Sequence, residues 1–153
     1  MESRRPADLS AQLGRVVVYV FPRAGNPSRP PPVENWNLIP DARGCTPQSC
    51  AFRDHHSELA ALGATVFGLS IQSSADQAEI AGRLLLPFSL LSDAGLEFTG
   101  AMNLPTFKVA GITLIKRLTM IMRDGVVESV FYPVFPPDKN AEQVIEWLSN
   151  NPV

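Results

Sequence analysis

Two uninterrupted apolar runs organise the first half of the chain. Residues 15–21 read RVVVYVF and residues 65–70 read TVFGLS, and neither run alternates with polar residues. Runs of this kind are typical of strands buried on both faces. Between them, apolar residues recur at helical spacing, at Ala51, Phe52, Leu59 and Leu62. With Gly63 as the helix C-cap, the pattern predicts a βαβ unit with two parallel strands and a right-handed crossover.

The middle of the chain alternates short helical and extended patterns. Cap and stop signals predict two helices, over residues 75–85 and from Ser92-Asp93 to residue 102. Strand-like composition predicts three extended segments, at residues 88–91, 106–109 and 118–122.

The C-terminal part carries a hairpin signal and then an amphipathic helix. Asp124-Gly125 predicts a tight turn into a strand over residues 126–131. Asn140 is predicted to cap the last helix, whose apolar face contains Val144, Ile145 and Leu148. This order of elements predicts the α/β class and a thioredoxin-like fold, with a central mixed β-sheet flanked by helices. The whole chain, residues 1–153, is predicted to be one domain.

Composition narrows the function classes. The chain is 45% hydrophobic and 18% charged, with a formal net charge of −2, which favours an ordinary globular protein. No basic surplus indicates a nucleic-acid partner, and no apolar run is long enough to cross a bilayer. The arginines near the N-terminus are not followed by an apolar segment, so we expect no signal peptide and a cytoplasmic location.

The candidate chemistry lies in residues 44–54, which read GCTPQSCAFRD and contain the only two cysteines, Cys45 and Cys50. Thr46 and Pro47 form a helix-start signal, because threonine is a good cap and proline fits the first helical turn. Cys45 is therefore predicted at or just before a helix N-terminus, where the helix dipole favours a thiolate. A thiolate can attack a peroxide or a disulfide. The alternative for Cys50, a small buried apolar residue, stays open.

A proline-rich stretch precedes these cysteines. Residues 23–43 contain three consecutive prolines and no helical pattern, so we expect an extended loop. Long loops of this kind are often functional. Trp36 is predicted to anchor the loop on the body of the domain, and simple packing is the more economical interpretation of this residue.

Several stretches together resemble one family. GCTPQSCAFRD resembles the active-site helix of peroxiredoxins, specifically the bacterioferritin-comigratory-protein or peroxiredoxin Q subfamily. Other matching stretches, found between residues 15 and 148, are VVVYVFPRA, LGATVFGLS, LPFSLLSD and KRLTMIMRDG. The resemblance covers most of the chain and implies a thiol-dependent peroxidase that reduces hydrogen peroxide or organic hydroperoxides. It also implies no bound cofactor, a dithiol reductant such as thioredoxin or a glutaredoxin-like protein, and a monomer or homodimer.

The resemblance assigns roles to four residues. Cys45 matches the peroxidatic cysteine, which becomes a sulfenic acid, and Cys50 matches the resolving cysteine on the same helix. Gln48 matches a residue that supports the hydrogen-bond network of the active site. Arg117 matches the arginine that pairs with the thiolate and orients the peroxide. From the sequence alone, Arg117 is equally well explained as an exposed strand residue beside Lys116.

The chain departs from the family before the first cysteine. The family pattern is Pro-x-x-x-Thr-x-x-Cys, but Leu38 and Ala42 occupy the proline and threonine positions. Pro22 or Pro40 is the candidate for the family proline, and the loop around Trp36 is an apparent insertion. The loss of the threonine leaves open how fast the protein reacts and which peroxide it prefers.

Two other functions compete with the peroxidase. A thioredoxin-type oxidoreductase, or a redox sensor with little peroxidase activity, is suggested by Leu104-Pro105-Thr106, which resembles a cis-proline loop. However, that chemistry normally uses Cys-x-x-Cys, whereas here four residues separate the cysteines. A metal site from Cys45, Cys50 and His55 is disfavoured, because five-residue steps on a helix turn by about 140° at ~100° per residue.

Overall fold

The computed structural model describes Leu9, Gln12, residues 14–25, Trp36 and residues 44–152. The described strands are β1 Arg15–Val20, β2 Ala64–Ser70, β3 Ser89–Ser92, β4 Thr106–Val109, β5 Ile112–Ile115, β6 Leu118–Arg123 and β7 Val126–Phe131. The helices are α1 Cys45–Asp54, α2 His56–Ala61, α3 Ser74–Arg83, α4 Glu97–Ala101 and α5 Asn140–Asn150. A 3₁₀ helix, Pro137–Lys139, leads directly into α5.

Five strands form the central mixed sheet, in the order β3-β2-β1-β6-β7. β1 pairs with β2 in parallel and with β6 antiparallel, so it lies in the middle of the sheet. All six residues of β1 are buried, as the unbroken apolar run predicts. The βαβ unit, the mixed sheet and its flanking helices are therefore confirmed.

Alternate residues of β1 pack into two different cores, because successive strand side chains point to opposite faces. Val17 and Tyr19 face the side that holds α1, α2, α3 and α5, where they pack with Phe52 and Leu59. The opposite face holds a second apolar cluster, which contains Val16, Val18, Val20, Leu91, Met120 and Met122. Burial on both faces explains why no polar residue alternates with the apolar ones over residues 16–20.

Several turn and cap predictions are confirmed. The Ser73 side chain accepts a hydrogen bond from the Asp76 amide at the start of α3, at 3.1 Å. The Asp93 carboxylate accepts from the first-turn amides of α4, at 2.8 and 3.0 Å. Asp124 and Gly125 both have positive φ, 51° and 85°, and turn β6 into β7. These elements follow from local signals that do not depend on tertiary packing.

The sequence pattern missed one strand. β5 pairs antiparallel with β4 across a tight turn in which Ala110 and Gly111 have φ of 52° and 78°. Two successive residues with positive φ form a hairpin turn, for which Asn-Gly or Asp-Gly is the usual signal. Ala-Gly does not carry that signal, so only the first strand of the hairpin was predicted.

The predicted central helix is divided at His55. Its φ and ψ of −102° and 12° leave the helical region between α1 and α2. The His55 amide still bonds to the Ala51 carbonyl at 3.0 Å, and the Leu59 amide bonds to the His55 carbonyl at 3.1 Å. The hydrogen-bond ladder therefore continues across a local distortion, and Gly63 follows with φ of 80° as predicted.

The prediction that Asn140 caps the last helix is wrong. Lys139 occupies the cap position, and no side chain caps this end of α5. The chain is already helical when it reaches Asn140, because the 3₁₀ helix runs into α5 without a break. The Asn140 side chain consequently points inward and is fully buried.

Gly68 in β2 tests the packing of the core. A Cβ at this position would lie 2.5 Å from Leu90 Cδ2 and 2.8 Å from Tyr19 Cζ. We expect Gly68→Ala to lower the free energy of unfolding by about 1–3 kcal/mol through overpacking. Gly82 in α3 is the matched control, because a Cβ there meets nothing within 4 Å. Gly82→Ala should raise the free energy of unfolding by up to about 1 kcal/mol. Urea denaturation of both variants measures the contrast, and equal effects would contradict it.

Candidate active site

Cys45 is the first residue of α1 and is only 2% exposed. Gly44 precedes it with φ of 103°, and the Gln48 amide bonds to the Gly44 carbonyl at 3.0 Å. A Cβ on Gly44 would lie 2.7 Å from Pro137 Cγ, so both its backbone angle and its surroundings require glycine. The helix start predicted from Thr46-Pro47 is confirmed. Thr46 itself does not cap the helix, because the cap position belongs to Gly44.

Arg117 lies immediately before β6 and points into the protein, with 2% exposure. Its Nη2 donates a hydrogen bond to Cys45 Sγ at 3.2 Å, and its Nη1 donates to Gln48 Oε1 at 2.7 Å. A guanidinium in this position supplies a permanent positive charge and directed N–H groups beside the sulfur. The interpretation of Arg117 as an exposed residue beside Lys116 is wrong.

Gln48 extends the contacts of Arg117 into a buried polar network. Its Nε2 donates to Asn140 Oδ1 at 3.2 Å, and the Thr119 hydroxyl donates to the same oxygen at 2.6 Å. The side chains of Gln48, Thr119 and Asn140 are all fully buried. Neither Thr119 nor Asn140 is predicted from the sequence as part of the site. A threonine between the apolar residues Leu118 and Met120 was the one available signal.

Cys50 lies near the middle of α1 and is half-buried, and no disulfide joins it to Cys45. The intact helix places the two cysteines on different faces and about 7.5 Å apart along its axis, at ~1.5 Å per residue. Between them, Ser49 accepts a hydrogen bond from the Tyr19 hydroxyl at 2.9 Å. Burial raises the pKa of Tyr19, so its hydroxyl remains protonated. The ring also stacks on Phe52 with centroids 4.6 Å apart.

Of the preceding loop, residues 23–43, the structure describes residues 23–25 and Trp36. Trp36 is 8% exposed and packs with Val109 and Leu114, which confirms its predicted anchoring role. Pro22 follows β1 and is buried. The remaining predictions for this loop, concerning Leu38, Pro40 and Ala42, lie outside the described residues.

The structure removes observations that favoured the competing functions. The peptide bond before Pro105 is not cis, whereas those before Pro133 and Pro136 are, so the cis-proline interpretation of residues 104–106 is wrong. Within the described ranges, no group of three histidine, cysteine or acidic side chains is arranged to hold a metal ion. His55 instead pairs with Glu58, with 2.6 Å between Nδ1 and Oε1. Among the described helices, none has the length and apolar character of a membrane span.

Comparisons with known proteins agree with the geometry. Residues 3–145 match the Redoxin family. The chain is 33% identical to the chloroplastic peroxiredoxin Q of Sedum lineare over 95% of its own length and 70% of that protein. It is 32% identical to the chloroplastic peroxiredoxin Q of Oryza sativa subsp. japonica, over 95% of its length and 60% of the rice protein. The chain thus spans about two thirds of these relatives.

Solved structures give the same result for the fold. The crystal structure of peroxidoxin BcpB from Mycobacterium tuberculosis superposes with a TM-score of 0.74 at 25% identity, covering 95% of this chain and 84% of BcpB. A Xanthomonas campestris peroxiredoxin Q structure superposes with a TM-score of 0.71 at 20% identity, covering 90% and 79% of the two chains. The thioredoxin-like fold is therefore confirmed.

Proposed function

This chain belongs to the Redoxin family and is a peroxiredoxin of the peroxiredoxin Q type, and from that membership we propose that Cys45 is its peroxidatic residue. Peroxiredoxins are thiol-dependent peroxidases, so the substrate is a peroxide and the electrons come from a thiol. The observation that carries the proposal is the Arg117 guanidinium, 3.2 Å from Cys45 Sγ at the first turn of α1. The Arg117 charge lies beside Cys45 Sγ, and the same side chain is buried at the start of α1.

The first step is oxidation of Cys45. Its thiolate attacks one oxygen of the peroxide ROOH, so an S–O bond forms while the O–O bond breaks. Cys45 becomes a sulfenic acid, and RO⁻ takes a proton and leaves as the alcohol, or as water when the substrate is hydrogen peroxide. Arg117 supports both ends of this step, because its N–H groups stabilise the attacking thiolate and the negative charge on the departing oxygen.

The second step regenerates the site through Cys50. The Cys50 thiolate attacks the sulfenic sulfur, which forms a disulfide and releases the oxygen as water after protonation. A dithiol then supplies two electrons and two protons and restores both thiols. Thioredoxin or a glutaredoxin-like protein is the proposed reductant, because a small dithiol protein can exchange disulfides with a half-exposed cysteine.

Disulfide formation requires α1 to open. A disulfide needs Cα atoms within about 6.8 Å and Cβ atoms that face each other. The cysteines do not satisfy this on the intact helix, so the first turns must unwind. The helical segment beyond this turn is better anchored, since Leu59 in α2 is fully buried and Arg53 Nη1 donates to the Leu84 carbonyl at 2.8 Å.

We therefore expect amide protection to change along the helix. Oxidation should remove hydrogen-exchange protection from residues 46–52 and leave it unchanged beyond Glu58. Cys50→Ser is the matched control, because it can be oxidised at Cys45 but cannot form the internal disulfide. Hydrogen exchange read by mass spectrometry measures both forms. Full protection of residues 46–52 in protein that carries the Cys45–Cys50 disulfide would contradict the mechanism.

A coupled assay tests the proposed function. Purified protein is given hydrogen peroxide or an organic hydroperoxide with thioredoxin, thioredoxin reductase and NADPH. We expect peroxide-dependent NADPH oxidation, together with a Cys45–Cys50 disulfide in peptide maps of the oxidised protein. A parallel assay with a glutaredoxin-like protein distinguishes the two proposed reductants. No peroxide consumption with any dithiol, dithiothreitol included, would contradict the peroxidase assignment.

A further inference from the structure

We propose that Asn140 is a positioning residue for the peroxide reaction, acting through Gln48 on Arg117, and that Thr119 holds Asn140 in place. The inference rests on the proposed function, because it concerns the same sulfur. It assigns a role to the first residue of α5 and to a residue of β6, neither of which touches Cys45 through the contacts described above.

Arginine sets the polarity of the network because it has N–H donors and no acceptor. Arg117 Nη1 lies 2.7 Å from the side-chain oxygen of Gln48, so the Gln48 side chain must present Oε1 to Arg117. The Gln48 nitrogen then points the other way, toward Asn140 at 3.2 Å. Asn140 must therefore present Oδ1 and accept. The orientations of both amide groups follow from the charge of one arginine.

Thr119 completes the arrangement from β6. Its hydroxyl is 2.6 Å from Asn140 Oδ1 and must donate, because that oxygen only accepts. Asn140 Nδ2 donates outward to Gln143 Oε1 at 3.2 Å, so both ends of the Asn140 amide are engaged. Asn140 Oδ1, which accepts from Gln48, is thus held in place mainly by the Thr119 hydroxyl on β6.

Burial makes this acceptor necessary. Gln48, Thr119 and Asn140 have no solvent exposure, so water cannot readily replace a lost partner. Without Asn140 Oδ1, the side-chain Nε2 of Gln48 would be left with a buried, unsatisfied N–H. It would turn toward another acceptor and release Arg117 Nη1. The guanidinium would then lose one of the contacts that hold it beside Cys45.

The same residues connect the start of α1 with the start of α5. Pro137, three residues before Asn140, fills the space that a side chain at position 44 would occupy. The 3₁₀ helix and Asn140 therefore hold the backbone and the Gln48 side chain of the first turn of α1 together. Catalytic positioning and folding of this turn depend on one set of contacts.

The test compares two rates in a Cys50→Ser background. The first is the second-order rate constant of Cys45 oxidation by hydrogen peroxide, measured by stopped flow. The second is the rate of Cys45 alkylation by iodoacetamide. Alkylation needs a thiolate but no stabilised oxygen leaving group. We expect Asn140→Ala to lower the peroxide rate constant about tenfold and to change alkylation by less than about twofold. Glu142→Ala, on the same helix turn but with an exposed side chain that pairs with Lys139, is the control and should leave both rates unchanged.

A double-mutant cycle separates positioning from general destabilisation. If Asn140 acts through Gln48, adding Asn140→Ala to Gln48→Ala should lower the peroxide rate constant by no more than about a further twofold. The inference is overturned if Asn140→Ala has its full effect in the Gln48→Ala background, or has no effect in the wild type. Loss of alkylation in parallel with the peroxide rate would also overturn it, since that pattern indicates simple disruption of the site.

Thr119 gives a second variant pair in case Asn140→Ala does not fold. Thr119→Val keeps the shape and removes the hydroxyl, and we expect it to slow the peroxide reaction selectively. Thr119→Ser keeps the hydroxyl and should restore the rate, whereas equal rates for the two variants would refute the inference. Failure of the proposed function is distinguishable, because wild-type Cys45 would then not be oxidised rapidly, whatever residue stands at position 119 or 140.

Discussion

Cys45→Ser is expected to reduce peroxide turnover by at least about a thousandfold, because it removes the sulfur that contacts the Arg117 guanidinium. Serine keeps the size and the hydrogen-bonding capacity of the side chain. The Arg117–Gln48–Asn140 contacts should therefore survive, and the fold should remain intact. The measurement is peroxide consumption in the thioredoxin-coupled assay, accompanied by thermal denaturation to verify that the variant is folded.

Cys50→Ser is the matched control for this prediction. It leaves the Cys45 site unchanged, so one equivalent of peroxide should still be consumed, and the resulting sulfenic acid should be trapped by dimedone and seen by mass spectrometry. Catalytic cycling with thioredoxin should fall strongly. If Cys50→Ser instead loses the first oxidation while Cys45→Ser retains it, the two roles are reversed.

Arg117→Ala should produce the second large effect, a loss of about 10²–10³-fold in the rate constant for Cys45 oxidation by peroxide. The substitution removes the buried charge beside Sγ and the donor that fixes Gln48. Arg117→Lys should recover only part of the rate, because an ammonium keeps the charge but cannot contact Cys45 and Gln48 in the same planar geometry. Stopped-flow measurement of the single-turnover oxidation gives both values.

Lys116→Ala is the control for the Arg117 variants. Lys116 is the adjacent residue and is only partly buried, and its backbone amide bonds to the Pro105 carbonyl whatever its side chain. We expect its substitution to change the oxidation rate by less than about twofold. An Arg117→Ala protein that reacts as fast as the wild type would exclude the guanidinium from the chemical step, even if its stability were lower.

Local signals were sufficient for most of the framework and for the position of the nucleophile. The unbroken apolar runs predicted β1 and β2, because a strand covered on both faces has no polar position to alternate with. Thr46-Pro47 predicted a helix that begins at Cys45, and Asp124-Gly125 predicted the β6–β7 hairpin. These features depend on backbone preferences within a few residues, which the sequence carries directly.

Other features were decided by residues that are distant in sequence. Arg117 could be read as an exposed residue beside Lys116 until β6 was placed next to β1, which brings it to Cys45, 72 positions earlier. Thr119 and Asn140 meet Gln48 only because β6, α5 and α1 pack around one buried point. Asn140 was predicted as a cap from its local preference, but the preceding 3₁₀ helix made a cap unnecessary and burial selected its amide for Gln48. The sequence by itself determined most of the elements and the position of the proposed nucleophile, whereas only tertiary packing decided which polar side chains surround that sulfur, because a buried hydrogen bond is chosen by proximity in space.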